Sequence, residues 1–155
     1  MAQDRQTVIH PLAGKHIIVA GGGVAGLAFV RALDRSWQEN VPRPRISLLE
    51  KREKAASPSR EGYSMSIRSD AMSGGMQALQ QMDLLDETLA ASITGQNGGS
   101  GSFRLWDTNW NPILTFRNPK VPPDGLPAHS MRIARHILRQ RLIDGIPSSV
   151  ETHGA

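Results

Sequence analysis

The chain has 155 residues, 18 Lys and Arg against 14 Asp and Glu, and a net charge of +4. That is the size of one domain or a piece of a larger one. A hydrophobic share of 39% places it among folding rather than disordered compositions. The absence of Cys excludes a disulfide scaffold, a thiolate metal site, an iron–sulfur cluster and a catalytic thiol.

Residues 1–14 mix polar and charged side chains, among them Gln3, Asp4, Arg5 and Gln6. They read as a flexible leader, not as a charged segment followed by an apolar run of the secretory kind. The longest apolar stretch, residues 17–30, is shorter than the ~20 residues a membrane helix requires and is interrupted by Gly21, Gly22 and Gly23. The expectation is a chain without a membrane span, located in the cytoplasm.

Residues 15–20 form a short β-branched run that predicts a buried strand. Three glycines end it. Residues 24–37 carry Ala25, Leu27, Ala28, Val30, Ala32 and Leu33 without Pro, which predicts a helix. Pro42 and Pro44 stop it. Residues 45–50 predict a second buried strand, so residues 15–50 read as a βαβ unit. A polar loop follows over residues 51–60, then a short strand over 63–67. Residues 70–91 predict a helix broken near Asp83, with a Met-rich stripe that reads as core packing. Residues 94–102 are a Gly/Ser/Asn-rich loop. Residues 103–107 and 112–116 flank Asn109-Trp110-Asn111 as the two arms of a β-hairpin. Residues 118–130, with four Pro, read as irregular. Residues 131–144 predict a helix that carries Arg132, Arg135 and Arg139 on one face and is stopped by Gly145 and Pro147. Residues 148–155 begin what reads as another strand.

The arginine face reads as solvated. With seven aromatic residues in all and no basic stretch interleaved with them, a nucleic-acid partner is not expected. His129 and His136 lack carboxylate companions at ligand spacing, and no metal site or Ser/His/Asp arrangement is found.

The chemistry-bearing motif is Gly21-Gly22-Gly23-Val24-Ala25-Gly26, which fits G-x-G-x-x-G between a strand and a helix. Gly21 permits a tight turn out of the strand. Gly23 lets a pyrophosphate approach the backbone. Gly26 lets the helix pack against the strand. The N–H groups and positive dipole end of the helix at Val24 and Ala25 suit phosphate. Glu50 closes the second strand, 24 residues after Gly26. A carboxylate there accepts ribose hydroxyls and repels a 2′-phosphate, which favours FAD or NAD over NADP.

Together, residues 16–26, Glu50-Lys51-Arg52 and residues 62–85 resemble the N-terminal part of FAD-dependent monooxygenases of the para-hydroxybenzoate hydroxylase type. In that family a glycine turn is followed by a Glu-Arg or Glu-Lys pair, then by a Gly and a strand, then by a helix with a Leu-x-x-x-Gly-Leu-like end. Here Asp83 stands where that Gly is usual. Arg135-His136-Ile137-Leu138 is similar to the family's Arg-x-x-Leu helix, and the resemblance implies that Arg135 contacts the flavin nucleotide. It further implies FAD as cofactor, NAD(P)H as electron donor and a small organic substrate hydroxylated with O₂.

The expected fold class is α/β: a Rossmann-like FAD-binding βαβ unit with an added hairpin and helices, over residues 15–155, the hairpin opening a substrate domain. The family's later flavin-binding segments follow beyond Leu142 in chain order, so the chain reads as truncated, with an exposed sheet edge through which it would self-associate. The expected function is the FAD-binding segment of a flavoprotein monooxygenase. The cofactor contacts are Gly21, Gly23, Val24, Ala25, Gly26, Glu50, Lys51, Arg52 and Arg135, and no catalytic residue is assigned. The alternatives are an NAD-dependent oxidoreductase domain and a non-catalytic nucleotide-binding remnant.

Overall fold

A computed structural model describes residues 10–51, 63–70, 72–92, 102–117 and 122–154. Its elements in chain order are β1 (His16–Ala20), α1 (Val24–Ser36), β2 (Arg45–Glu50), β3 (Ser64–Arg68), α2 (Gly75–Gln81), α3 (Leu85–Ala90), β4 (Ser102–Trp106), β5 (Pro112–Arg117), β6 (Ser130–Ala134), α4 (Arg135–Asp144) and β7 (Glu151–Gly154). They fall into two compact units. One comprises Met1–Ala56 with Gly145–Ala155, the other Ser57–Asp144.

The first unit holds a three-stranded parallel sheet in the order β1-β2-β7. The register runs from His16 opposite Arg45 to Ala20 opposite Leu49, and from Ser47 opposite Glu151 to Glu50 opposite Gly154. The expected strand–helix–strand unit is present, and the segment after Pro147 supplies the third strand. In α1, Leu27 and Val30 are buried one turn apart, the spacing that lines one helix face. Ile46 and Leu48 are buried in β2. On the alternating side, Ile18 and Leu49 stay 62% and 41% exposed. At the far end of α1 the Trp37 indole N–H donates to the Val41 carbonyl at 3.0 Å, and the His10 ring lies 4.4 Å from the Trp37 ring.

In the second unit β3 pairs with β6 antiparallel, and β4 with β5. α2 packs against β3 and α3, and α3 against α4. Met76, Leu79, Leu84, Met131, Ile133 and Leu142 are buried. The break expected near Asp83 is real: Asp83 adopts φ 59°, the left-handed conformation that Gly takes most readily, between α2 and α3. The helix expected from residue 70 starts later, at Gly75, and before it the Asp70 carboxylate accepts the Ser73 N–H at 3.1 Å.

One expectation is corrected. Residues 131–134 are not helical; they belong to β6, and α4 begins at Arg135. Met131 and Ile133 are buried while Arg132 is exposed, a period of two that pairing with β3 rewards. Arg132 therefore does not share a helix face with Arg135 and Arg139. Its guanidinium Nε donates to Ser64 Oγ at 2.7 Å.

The loops expected over residues 51–60 and 94–102 lie almost wholly outside the described residues; Ser102 opens β4.

Candidate functional site

The chain leaves β1 at Gly21, whose φ of 117° is available only to glycine without strain. The Gly21 N–H donates to the Leu49 carbonyl at 2.7 Å, tying the turn to β2. Gly22 is buried, and its N–H donates to Glu50 Oε2 at 2.8 Å. A Cβ at Gly22 would stand 3.0 Å from that oxygen and 3.2 Å from the Glu50 Cβ. Gly23 is extended and caps α1 without a side-chain cap, and its carbonyl accepts the Leu27 N–H at 3.0 Å. The N–H groups of Val24, Ala25 and Gly26 thus belong to the first helical turn, where no preceding turn supplies acceptors. That turn carries no acidic side chain of its own; the nearby carboxylate is that of Glu50, on the Gly22 N–H.

Gly26 is the tightest point. A Cβ built on it would lie 2.1 Å from the Gly21 carbonyl oxygen and 3.1 Å from Val19 Cγ1. The helix can pass this close to the turn because nothing projects from Gly26.

The carboxyl ends of the three parallel strands open onto one crevice lined by Ala20, Gly21, Leu49, Glu50, Lys51, His153 and Gly154. Parallel sheets bind ligands in crevices at these ends, where loops replace hydrogen-bonded strand. Of the residues expected from the sequence, Gly21, Glu50 and Lys51 line this crevice, and Gly23, Val24, Ala25 and Gly26 follow Gly21 along the chain as the N-cap and first turn of α1. Arg52 lies outside the described residues. Arg135 belongs to the other unit. There its N–H donates to the Tyr63 carbonyl at 3.2 Å, and its guanidinium carbon stands 5.8 Å from the centre of the Tyr63 ring, within cation–π reach.

Ala20, Gly22, Leu49, His153 and Gly154 were not among the site residues expected from the sequence. Gly22 occupies a variable position of the motif, yet the Glu50 carboxylate rests on it. His153 and Gly154 reach the crevice only through β7. Their signal was the strand visible after Pro147, but sequence alone does not say which strand it joins.

No protein-family model matches this sequence. A monooxygenase, cfoF of Aspergillus candidus, is 35% identical over 146 residues, which span 93% of this chain and 34% of that protein. This chain therefore covers about a third of the relative's length. Among solved structures, p-nitrophenol 4-monooxygenase PnpA from Pseudomonas putida DLL-E4 matches with a TM-score of 0.61 and 17% identity, over 90% of this chain and 32% of that one. The flavin-dependent monooxygenase PieE, solved with FAD and substrate, matches with a TM-score of 0.59 and 15% identity, over 90% and 23%. HpxO of Klebsiella pneumoniae, solved with FAD and uric acid, matches with a TM-score of 0.56 and 16% identity, over 89% and 30%. The mixed α/β fold is thus similar to part of the fold of flavin-dependent monooxygenases. No helix among the described residues is long and apolar enough to cross a membrane.

Proposed function

We propose that this chain forms the FAD-binding part of a flavoprotein monooxygenase, built on a Rossmann-like βαβ unit. The observation that carries the reading is the glycine turn at the end of β1. Gly21 is strained for any other residue, Gly26 lies against the Gly21 carbonyl, and the Glu50 carboxylate is drawn to the Gly22 N–H. A glycine turn leading into a helix N-terminus, with a carboxylate at the end of the next strand, is what a dinucleotide uses at a strand–helix junction. The named monooxygenase relative and the flavin enzymes of similar fold support FAD as the dinucleotide.

The residues present fit the cofactor. The first N–H groups of α1 at Val24 and Ala25 would bind the pyrophosphate, and Gly23, without a Cβ, would let it come near. Glu50 would accept the adenosine ribose hydroxyls, and its charge would oppose a 2′-phosphate. Lys51, Arg52 and Arg135 are assigned to the cofactor by the family resemblance. When bound, FAD supplies the redox chemistry, taking electrons from NAD(P)H and reacting with O₂ to hydroxylate a small organic substrate. The chain's own residues bind and orient it.

The test is to titrate the full 155-residue chain with FAD, ADP and NADH, following flavin fluorescence and amide chemical shifts. FAD and ADP should bind, with shifts at Gly21–Gly26 and Glu50. Gly23→Val should remove the binding while leaving the fold intact by circular dichroism. A Gly23→Val protein that bound FAD as tightly as the parent would sink the assignment. NADH bound more tightly than FAD would move the reading to an NAD-dependent oxidoreductase.

A further inference from the structure

On the side of the sheet turned away from α1, five polar side chains from all three strands meet. The Arg45 guanidinium grips Glu151 with two hydrogen bonds, Nε to Oε1 at 3.1 Å and Nη2 to Oε2 at 3.0 Å. Ser47 Oγ donates to Glu151 Oε2 at 3.3 Å and lies 2.9 Å from His16 Nε2. His153 Nε2 stands 3.8 Å from the same carboxylate oxygen. Arg45 is the main reason the Glu151 carboxyl is held below its usual range.

β7 needs such a fastening. It has four residues, all exposed, and among the described residues it pairs with β2 alone, at the edge of the three-stranded sheet. Apolar burial therefore contributes little to its position, and parallel pairing is the weaker kind of ladder. Its register is consequential, because Glu151 opposite Ser47 sets Gly154 opposite Glu50 at the crevice. A slip by one residue would turn every β7 side chain to the other face and take His153 out of the crevice wall.

We propose that Arg45 and Glu151 are positioning residues for nucleotide binding: their bidentate clamp at the start of β7 fixes the strand's register and so holds His153 and Gly154 in the wall of the crevice. Neither residue lines that crevice. The inference rests on the crevice taking the adenosine half of a dinucleotide.

The experiment measures ADP affinity by chemical-shift titration of the full chain, together with hydrogen exchange of the β7 amides without ligand. Variants are Glu151→Gln, Arg45→Glu and the swapped pair Arg45→Glu/Glu151→Arg. Removing one exposed but bidentate ion pair should weaken ADP by about threefold in Glu151→Gln. Arg45→Glu, which sets two carboxylates face to face, should weaken it further. In both, the β7 amides should exchange faster. The swapped pair should return affinity to within about twofold of the parent and restore the protection. A purely local surface pair would show neither the loss of ADP affinity nor its rescue. Single variants that bind ADP as tightly as the parent overturn this inference alone. A parent chain without affinity for ADP overturns the functional reading and this inference with it.

Discussion

At Gly26 there is no room for a side chain, since the atom a Cβ would meet at 2.1 Å is the backbone oxygen of Gly21. Backbone cannot rotate aside as a side chain can. Gly26→Ala should therefore destabilise the protein by about 1–3 kcal/mol, in the range of overpacking. Chemical denaturation measures it, and an unshifted midpoint would show that the turn relaxes freely. Gly22→Ala should cost less, because its nearest neighbours, Glu50 Oε2 at 3.0 Å and Glu50 Cβ at 3.2 Å, need to give by only a few tenths of an ångström. A different residue carries a pH signature. Asp70 is held down to about 2 by hydrogen bonding to Ser73 and to Arg68, whose Nε lies 2.6 Å away. A depressed carboxylate stabilises the fold above its ordinary pKa, and that contribution fades as pH falls from about 4 toward 2. A side-chain titration followed by NMR should place the Asp70 midpoint near 2. A midpoint at the ordinary value of 3.8 would mean that the Asp70 hydrogen bonds to Ser73 and Arg68 do not hold in solution.

Among the elements, β6 and the β4–β5 hairpin show how differently apolar strands are used. Ile133 in β6 is 0% exposed, whereas Ile113 in β5 is 66% exposed. Ile133→Ala should cost about 2–5 kcal/mol through lost burial and the cavity left behind. Ile113→Ala should stay within about 0.5 kcal/mol. Equal losses at the two sites in thermal or denaturant unfolding would contradict the placement of β6 in the core. The hairpin is held locally. Asp107 Oδ1 accepts the Asn109 and Asn111 N–H groups, each at 2.8 Å, and Trp110 closes the turn at φ 64°. Its pairing was readable because apolar arms flank a short Asn-rich turn. β6 was misread as helix because Arg132, Arg135 and Arg139 happen to stand at helical spacing, while the alternation that decided the matter spans only five residues.

At the scale of the whole molecule, the unit that carries the glycine turn is discontinuous in sequence. The chain lays down β1, α1 and β2, builds the second unit, and returns at Gly145 to add β7. The Arg31 guanidinium meets the returning segment at the Gly145 carbonyl. Deleting residues 145–155 should strip the β2 edge, remove the Arg31 hydrogen bond to the Gly145 carbonyl and weaken ADP binding. Hydrogen exchange should accelerate in β1 and β2 and stay as it was in β3 and β6, which belong to the other unit. Unchanged exchange in β2 would show that β7 contributes nothing to the sheet that bears the crevice.

The strand–turn–helix–strand of residues 16–50 and its glycine spacing were determined by sequence alone, because each signal there is local: a β-branched run, a backbone bend that excludes side chains, a Pro stop. The hairpin and the break at Asp83 were legible for the same reason. Only tertiary structure decided that residues 130–134 extend to pair with β3, that residues 151–154 join β2, and that the Glu50 carboxylate rests on Gly22. It also decided that Arg45 grips Glu151, 106 residues further on. Those outcomes depend on which distant segment supplies a partner for a strand edge or a charge, and no local pattern in the chain encodes that choice.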